Sequence, residues 1–368
     1  MAAAMRRVCV RGRARGEWHW RQRRDATAFN FDWDDNVLHM PTKVLLFRRG
    51  PDGVPSEAAG PPLAVSTGEY AARRGELGRA GAALAAFGVA DDSFRHFHDP
   101  APASPHAGRN FFLEDVNAAI DRATESAAAP PPPSLADDAE GASRDGGGHP
   151  PAAAGPSWHA FAYACATPRH AALTSIVTAR HHAPASIHAG LVALQRRGLI
   201  AHVPPVANVF PVGYDPLRAA FAARRAELSH VPPDGHGDVA GFKLAVMAAS
   251  LRAFASLPLD GGPAALGGGA VSVELLPARD VLSPDGDRTG RFHLWGYSDD
   301  DAGNYATARD GLGGWLRAHP LPTVKVVLFY TGRRGRTTVE VLRSDGSPRP
   351  AAPSEAVFHR RGRRTAPA

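Results

Sequence analysis

The chain has 368 residues, 44% apolar and 21% charged, which are the proportions of a globular protein and exclude a wholly disordered one. It holds no run of about 18 apolar residues, which excludes a transmembrane helix, and its two cysteines, Cys9 and Cys165, are too few for a disulfide scaffold or a CxxC-type zinc site. The net charge of +6 is carried at the ends: residues 1–24 hold +7 and residues 332–368 hold +6, leaving −7 on the body.

Segment 1–24 is Arg-rich, lacks the apolar stretch of a signal peptide and lacks the Ser of a transit peptide, so it reads as a tail. Basic ends suit a polyanion, but neither end interleaves aromatics as a stacking surface does. Lys occurs only at 43, 243 and 325, so the Arg-rich, Ala-rich ends also fit a GC-rich coding sequence. Ala28 to Leu38 (AFNFDWDDNVL) begins with alternating apolar residues and ends in carboxylates, the pattern of a buried strand delivering side chains to a sheet edge.

Residues 49–123 hold their own apolar set (Phe94, Phe97, Phe111, Phe112, Leu113, Val116) and read as an inserted cap or an extension of the core. Residues 124–157 are Pro, Ala, Gly and acid with no aromatic, a composition that cannot bury enough surface to order itself. The apolar run Ala172–Val177 is followed by Thr178-Ala179-Arg180. Pro184–Arg197 then places Ile187, Leu191 and Leu194 on one helical face, with Gly198 as the stop. Residues 259–270 read as a short flexible insertion. Two further strands are expected at Phe292–Tyr297, ending in Ser298-Asp299-Asp300-Asp301, and at Val324–Tyr330, ending in Thr331-Gly332.

Strands alternating with helices predict an α/β fold with a doubly wound, Rossmann-like parallel sheet, whose site lies outside the carboxyl ends of the strands. The acidic clusters all fall there. The expected division is a tail at 1–24, a core from 25–48 and 170–345, an insert at 49–123, a disordered linker at 124–157 and a basic tail at 346–368.

Asp32 and Asp34, one residue apart after a buried strand, suit two jobs: one carboxylate attacks phosphorus, the other gives and then takes a proton. Two such charges persist together beside a cation, and a hard Mg²⁺ suits oxygen ligands. Alone, such a string is also an acidic turn or a helix cap. The other clusters change the balance. Phe29-Asn30-Phe31-Asp32-Trp33-Asp34-Asp35, then Ile176-Val177-Thr178, then Lys243, then Tyr297-Ser298-Asp299-Asp300 resembles, in order and spacing, the four motifs of the haloacid-dehalogenase superfamily over roughly residues 28–48 and 170–332.

The resemblance implies that Asp32 is the nucleophile, forming an aspartyl-phosphate, and that Asp34 is the general acid and then the base. Thr178 would bond a phosphoryl oxygen and Lys243 would stabilise charge on Asp32 and the phosphoryl group. Mg²⁺ would be held by Asp32, the backbone carbonyl of Asp34, and Asp299, with Asp300 as second candidate. Arg180 reads as a substrate contact, or as a cap on the sheet by a salt bridge. Asn36 stands where the family has Thr or Val, and reads as a variation in a tight turn that Asn tolerates, with altered leaving-group handling as the alternative.

Other residues read more plainly. His96 and His98 with Asp99 have no further ligand at a recognisable spacing and read as a surface pair. His181 and His182 stand beside the expected site by coincidence or as substrate contacts. Glu69, Tyr70, Glu114 and Asp115 read as helix-start chemistry, and Gly267-Gly268-Gly269 lacks the Lys and Ser/Thr of a phosphate loop.

The expected function is a Mg²⁺-dependent phosphohydrolase of a small-molecule phosphomonoester. The alternatives are a phosphatase of nucleic-acid ends docking through the basic tails, and a non-enzymatic interaction module. The expected compartment is intracellular and cytoplasmic, with the Arg-rich N-terminus as a candidate organelle-targeting segment.

Overall fold

The computed structural model describes residues 24–128, 153–228, 238–255, 292–321, 324–333, 336–343 and 346–350. The strands are β1 (Arg24–Phe31), β2 (Lys43–Arg48), β3 (Leu63–Ser66), β4 (Phe87–Gly88), β5 (Thr174–Thr178), β6 (Val209–Pro211), β7 (Phe292–Asp299), β8 (Val324–Arg333), β9 (Arg336–Leu342) and β10 (Pro348–Pro350). The helices are α1 (Thr67–Arg73), α2 (Phe111–Ala128), α3 (Trp158–Ala164), α4 (Pro168–Ala172), α5 (Pro184–Arg196), α6 (Asp215–Glu227), α7 (Val239–Ala255) and α8 (Ala302–Ala318).

Successive side chains of a strand face opposite ways, and β1 uses this to found two cores. Phe29 and Phe31 pack on one face of the sheet with α2, α3 and α5. Ala28 packs on the other, with α6, α7 and α8. The main sheet has the order β10-β9-β8-β7-β1-β5-β6. Strands β8, β7, β1, β5 and β6 run parallel, and β9 and β10 close one edge antiparallel. This is the α/β, mostly parallel sheet that the patterning predicts. The chain steps outward from β1 to β5 and β6, then crosses back to lay β7 and β8 on the other side of β1. The connections leaving β1 and β7 therefore diverge, which makes the crevice in which such sheets bind ligands.

Four boundaries differ from the expected division, the first being that β10, expected in the basic tail, pairs antiparallel with β9 at the edge of the main sheet. β2, expected in the core, pairs antiparallel with β3 and β4 in a separate three-stranded sheet. Its inward residues Val44 and Leu46 need a partner face and find it in Val65, Leu84 and Phe97. Conversely, α2, placed by sequence in the insert, belongs to the main core, because Phe112, Val116 and Ile120 make one stripe facing Ile187, Leu191 and Leu194 of α5. The last residues of the expected linker are ordered too. Gly155 donates its N–H to the Val37 carbonyl at 2.9 Å and Ser157 donates to the Asn36 carbonyl at 2.8 Å.

Residues 1–23, most of the 124–157 segment, the 259–270 insertion and the chain beyond 350 lie outside the described residues, and the expectations placed on them go with them. No described helix is long and apolar enough to cross a membrane.

The α2–α5 contact depends on Gly190. A Cβ there would lie 2.5 Å from Cε1 of Phe112 and 3.1 Å from Cγ2 of Val116. Phe112 is fully buried and hemmed by Trp33 and His182 at ring distances of 5.6 and 5.8 Å, so it has no room to yield. Gly190→Ala is therefore expected to lower stability by about 1–3 kcal/mol through overpacking, despite the better helix propensity of Ala. Urea unfolding measures it, and a variant as stable as the wild type contradicts the packing.

Candidate active site

The site begins where β1 ends. The N–H of Asp32 donates to the Ser298 carbonyl of β7 at 2.9 Å, which ties the first acidic residue to the neighbouring strand. The turn that follows closes on itself: Val37 donates to the Trp33 carbonyl at 3.0 Å and Asp35 to the Leu38 carbonyl at 2.9 Å. The left-handed residue in this turn is Asp35, with φ of 58°. Asn36, expected to matter for its turn geometry, does a different job.

Asn36 is fully buried and acts as a hydrogen-bond hub. Its amide nitrogen donates to the Asp32 carbonyl at 3.2 Å and the Ser298 carbonyl at 3.0 Å. Its amide oxygen accepts from the Ser157 hydroxyl at 2.7 Å and the Thr331 hydroxyl at 2.8 Å. One side chain thus pins the β1 turn to the ends of β7 and β8 and to the segment entering α3. A Thr or Val could not span all four.

α7 delivers Lys243 into the crevice. Its ammonium, 1% exposed, lies 3.0 Å from Asp32 Oδ2 and 3.1 Å from Asp299 Oδ2. Asp299, fully buried, also accepts from the Tyr297 hydroxyl and from the Asp301 N–H at 2.9 Å. Asp300 completes a set in which Asp32, Asp299 and Asp300 each offer an oxygen, all within 4.8 Å of one another. β8 passes close by: a Cβ at Gly332 would lie 2.0 Å from the Asp300 carbonyl oxygen, so only glycine fits there.

The electrostatics follow from this crowding. Burial, together with Asp299 and Asp34, raises Asp32 well above the ordinary carboxyl value against the pull of Lys243. Burial and then Asp299 and Asp32 push Asp300 up to about 9. Burial opposes the charge on Lys243, but Asp299 and Asp32 outweigh it and hold the ammonium above its ordinary value. When ionised, three carboxylates facing one ammonium carry two uncompensated negative charges. An all-oxygen donor set with that excess fits a hard divalent cation.

On the other side of β1, Asp34 turns away from this group. The Arg180 guanidinium grips both its oxygens, with Nε at 3.0 Å from Oδ2 and Nη2 at 2.6 Å from Oδ1, and the Thr178 hydroxyl donates to it at 3.3 Å. Arg180 is fully buried between the rings of Phe97 and Phe112, 5.0 and 5.1 Å from their centroids. Of the two readings of Arg180, the geometry favours the salt bridge: no face of the guanidinium is open, and its charge is directed at Asp34 and, at 3.9 Å, at Asp115. The fold brings together Asp32, Lys243, Asp299 and Asp300 in one group and Asp34, Thr178 and Arg180 in an adjoining one. Asp34 belongs to the second group through its side chain, so its expected place among metal ligands rests on its backbone carbonyl alone.

Some participants are not apparent from sequence. Asp115, read as helix-start chemistry, accepts from the Thr42 hydroxyl and stands 3.9 Å from Arg180 Nη1; Thr42 in turn accepts from Arg180 Nη2 at 2.6 Å. Nothing local marks Thr42 or Phe97, because their roles come from how the insert folds back. Glu69 does make the expected helix start, exchanging hydrogen bonds with Ser66 in a capping box.

Among the described residues the histidines are not gathered into a metal group. The His96 ring packs on Phe111 at 4.9 Å, and the Asp99 carboxylate accepts from the Ala183 N–H at 2.8 Å. His182 is buried on Phe112, and burial, then Arg180, lowers its pKa to about 2.

The acid cluster makes stability depend on pH and on metal in a linked way. Asp300 keeps its proton up to about pH 9 in the folded, metal-free protein and loses it near about pH 4 when unfolded. The folded state holds more protons across that window, so this group's contribution falls as pH rises through it. A bound divalent cation displaces the proton. The gain in Tm on adding Mg²⁺ to protein stripped with chelator is therefore expected to grow between about pH 5 and about pH 9. No gain at any pH contradicts a cation site at these carboxylates.

The chain matches no protein-family model, no curated protein and no solved structure.

Proposed function

We propose that the chain is a Mg²⁺-dependent phosphohydrolase of the haloacid-dehalogenase type, acting on a phosphomonoester through an aspartyl-phosphate on Asp32. One observation carries the reading: the buried Lys243 ammonium shared by Asp32 and Asp299 beside Asp300, at the carboxyl ends of β1 and β7. Phosphoryl transfer needs mainly positioning and charge neutralisation, and this arrangement offers both. Asp32, Asp299 and Asp300 would hold the cation, with the Asp34 backbone carbonyl as the resemblance implies. The cation supplies neutralisation of the phosphoryl oxygens.

In the first half-reaction an oxygen of Asp32 attacks phosphorus and the bond to the leaving oxygen breaks, while Asp34 gives that oxygen a proton. In the second, water attacks the phosphoryl group, Asp34 takes a proton from it, and the acyl-phosphate P–O bond breaks to release inorganic phosphate and restore Asp32. Lys243 keeps Asp32 in reach and compensates charge on it and on the phosphoryl group throughout. The Thr178 hydroxyl would bond a phosphoryl oxygen by turning from Asp34. In this reading the sheet β3-β2-β4 would serve as the cap. It reaches the site through Thr67, whose hydroxyl donates to Asp35, and through Phe97 against Arg180.

A buried ion cluster is a costly way to stabilise a scaffold. Removing Lys243, Asp32 and Asp299 from water costs several kcal/mol per ion, which their attraction does not reliably offset.

The test is phosphate release from p-nitrophenyl phosphate. Wild type is expected to turn it over only with Mg²⁺, chelator to abolish turnover, and Asp32→Asn to lower kcat by roughly 10³-fold or more. Turnover that survives Asp32→Asn, or that ignores chelator, contradicts the mechanism.

A further inference from the structure

Arg180 is too well built to be an incidental ion pair. Its guanidinium forks both oxygens of Asp34, and Nη2 also donates to Thr42 at 2.6 Å. Two aromatic faces, Phe97 from the insert and Phe112 from α2, close over its plane at 5.0 and 5.1 Å. The third nitrogen, Nη1, is buried and makes no hydrogen bond among the described residues. Asp115 stands 3.9 Å from it, beyond hydrogen-bond distance. The hydrogen bonds that the guanidinium gives to carboxylate oxygens all go to Asp34. A planar fork fixes the plane of the carboxyl group, where a lone ammonium would leave it free to turn.

The insert is fastened to the same segment. The His181 N–H donates to the Phe97 carbonyl at 2.8 Å, and the Ala183 N–H donates to the Asp99 carboxylate at 2.8 Å. One wall of the Arg180 slot is thus insert, stitched on either side of the residue that holds Asp34.

We infer that Arg180 is a positioning residue, which sets the Asp34 carboxyl group in line for proton exchange with the leaving oxygen, and that Phe97 makes this orientation depend on the placement of the β3-β2-β4 sheet. The inference rests on the phosphohydrolase reading above, in which Asp34 is the general acid. It differs from a substrate-contact role because Arg180 touches no open surface, and from a purely structural role because its effect must pass through proton transfer.

Leaving-group chemistry separates these roles. An aryl phosphate with a good leaving group needs little help from an acid, whereas an alkyl phosphate needs a proton on the departing oxygen. The experiment measures kcat and KM for p-nitrophenyl phosphate and for a simple alkyl phosphate in wild type, Arg180→Lys, Arg180→Met, Phe97→Leu and Asp34→Asn.

The Arg180 variants are expected to lose about 10²-fold in kcat on the alkyl phosphate and under about tenfold on the aryl one, with KM little changed. Phe97→Leu is expected to show the same bias on a smaller scale. Arg180→Met added to Asp34→Asn is expected to cost nothing further on the alkyl phosphate. Should Arg180→Met fail to fold, Arg180→Lys and Phe97→Leu carry the comparison.

Equal losses on the two substrates, a loss confined to KM, or faster alkyl hydrolysis would each overturn the positioning role while leaving the phosphohydrolase intact. A wild type inactive on both substrates would overturn both together.

Discussion

One ammonium ion shared between two carboxylates, out of reach of water, is the constraint on which the rest of this site depends. Lys243 lies between Asp32 and Asp299 at 3.0 and 3.1 Å, and neither acid has another cation as close among the described residues. Removing one partner from such a group strands charge in the interior at a cost of about 3–5 kcal/mol. That cost explains why α7 must enter the crevice where it does. Its largely buried residues pack against β5 and β7, and the packing sets the depth to which the lysine reaches. With Asp300 added the group holds more acids than Lys243 can balance; burial first, and then the neighbouring acids, raise Asp32 and Asp300, and in the proposed reading a divalent cation would offset that excess.

The second constraint is the turn after β1. Asp32 and Asp34 serve opposite sides of the strand, one toward Lys243, the other toward Arg180. Both directions hold only if the intervening backbone is rigid. Asn36 supplies that rigidity by joining the turn to Ser157, Ser298 and Thr331, and the buried Trp33, Val37 and Leu38 anchor it from below. In the proposed reaction the two acids then meet the phosphoryl group and the leaving oxygen as a fixed pair.

Much of this was legible in the sequence where the signal is local. The apolar alternation of Phe29 and Phe31, the run into Thr178 and the run into Asp299 each mark a strand and its carboxyl end, so the parallel sheet and the edge carrying the acids follow from periodicity. Lys243 stood out because no other lysine lies between Thr178 and Asp299. What the sequence could not show depends on tertiary return. β2 has the same apolar pattern whether it joins the main sheet or pairs with β3. The stripe of α2 is continuous with the insert in sequence but matches α5 in space. Arg180 looks like an exposed residue after a strand, and only the folding-back of Phe97 and Phe112 buries it. Asn36 has no local partner at all beyond the Asp32 carbonyl, and its remaining contacts lie more than a hundred residues away.

In the proposed mechanism Asp32, with Lys243 and a divalent cation beside it, accepts a phosphoryl group. Beryllium trifluoride bonds to a carboxylate as a phosphoryl mimic, and ¹⁹F NMR reports it on the protein directly, with no need for the right substrate. Bound fluorine resonances are expected in wild type, requiring Mg²⁺ and vanishing in Asp32→Asn. A folded, Mg²⁺-supplied wild type with no bound resonance, or resonances that persist in Asp32→Asn, would contradict the mechanism.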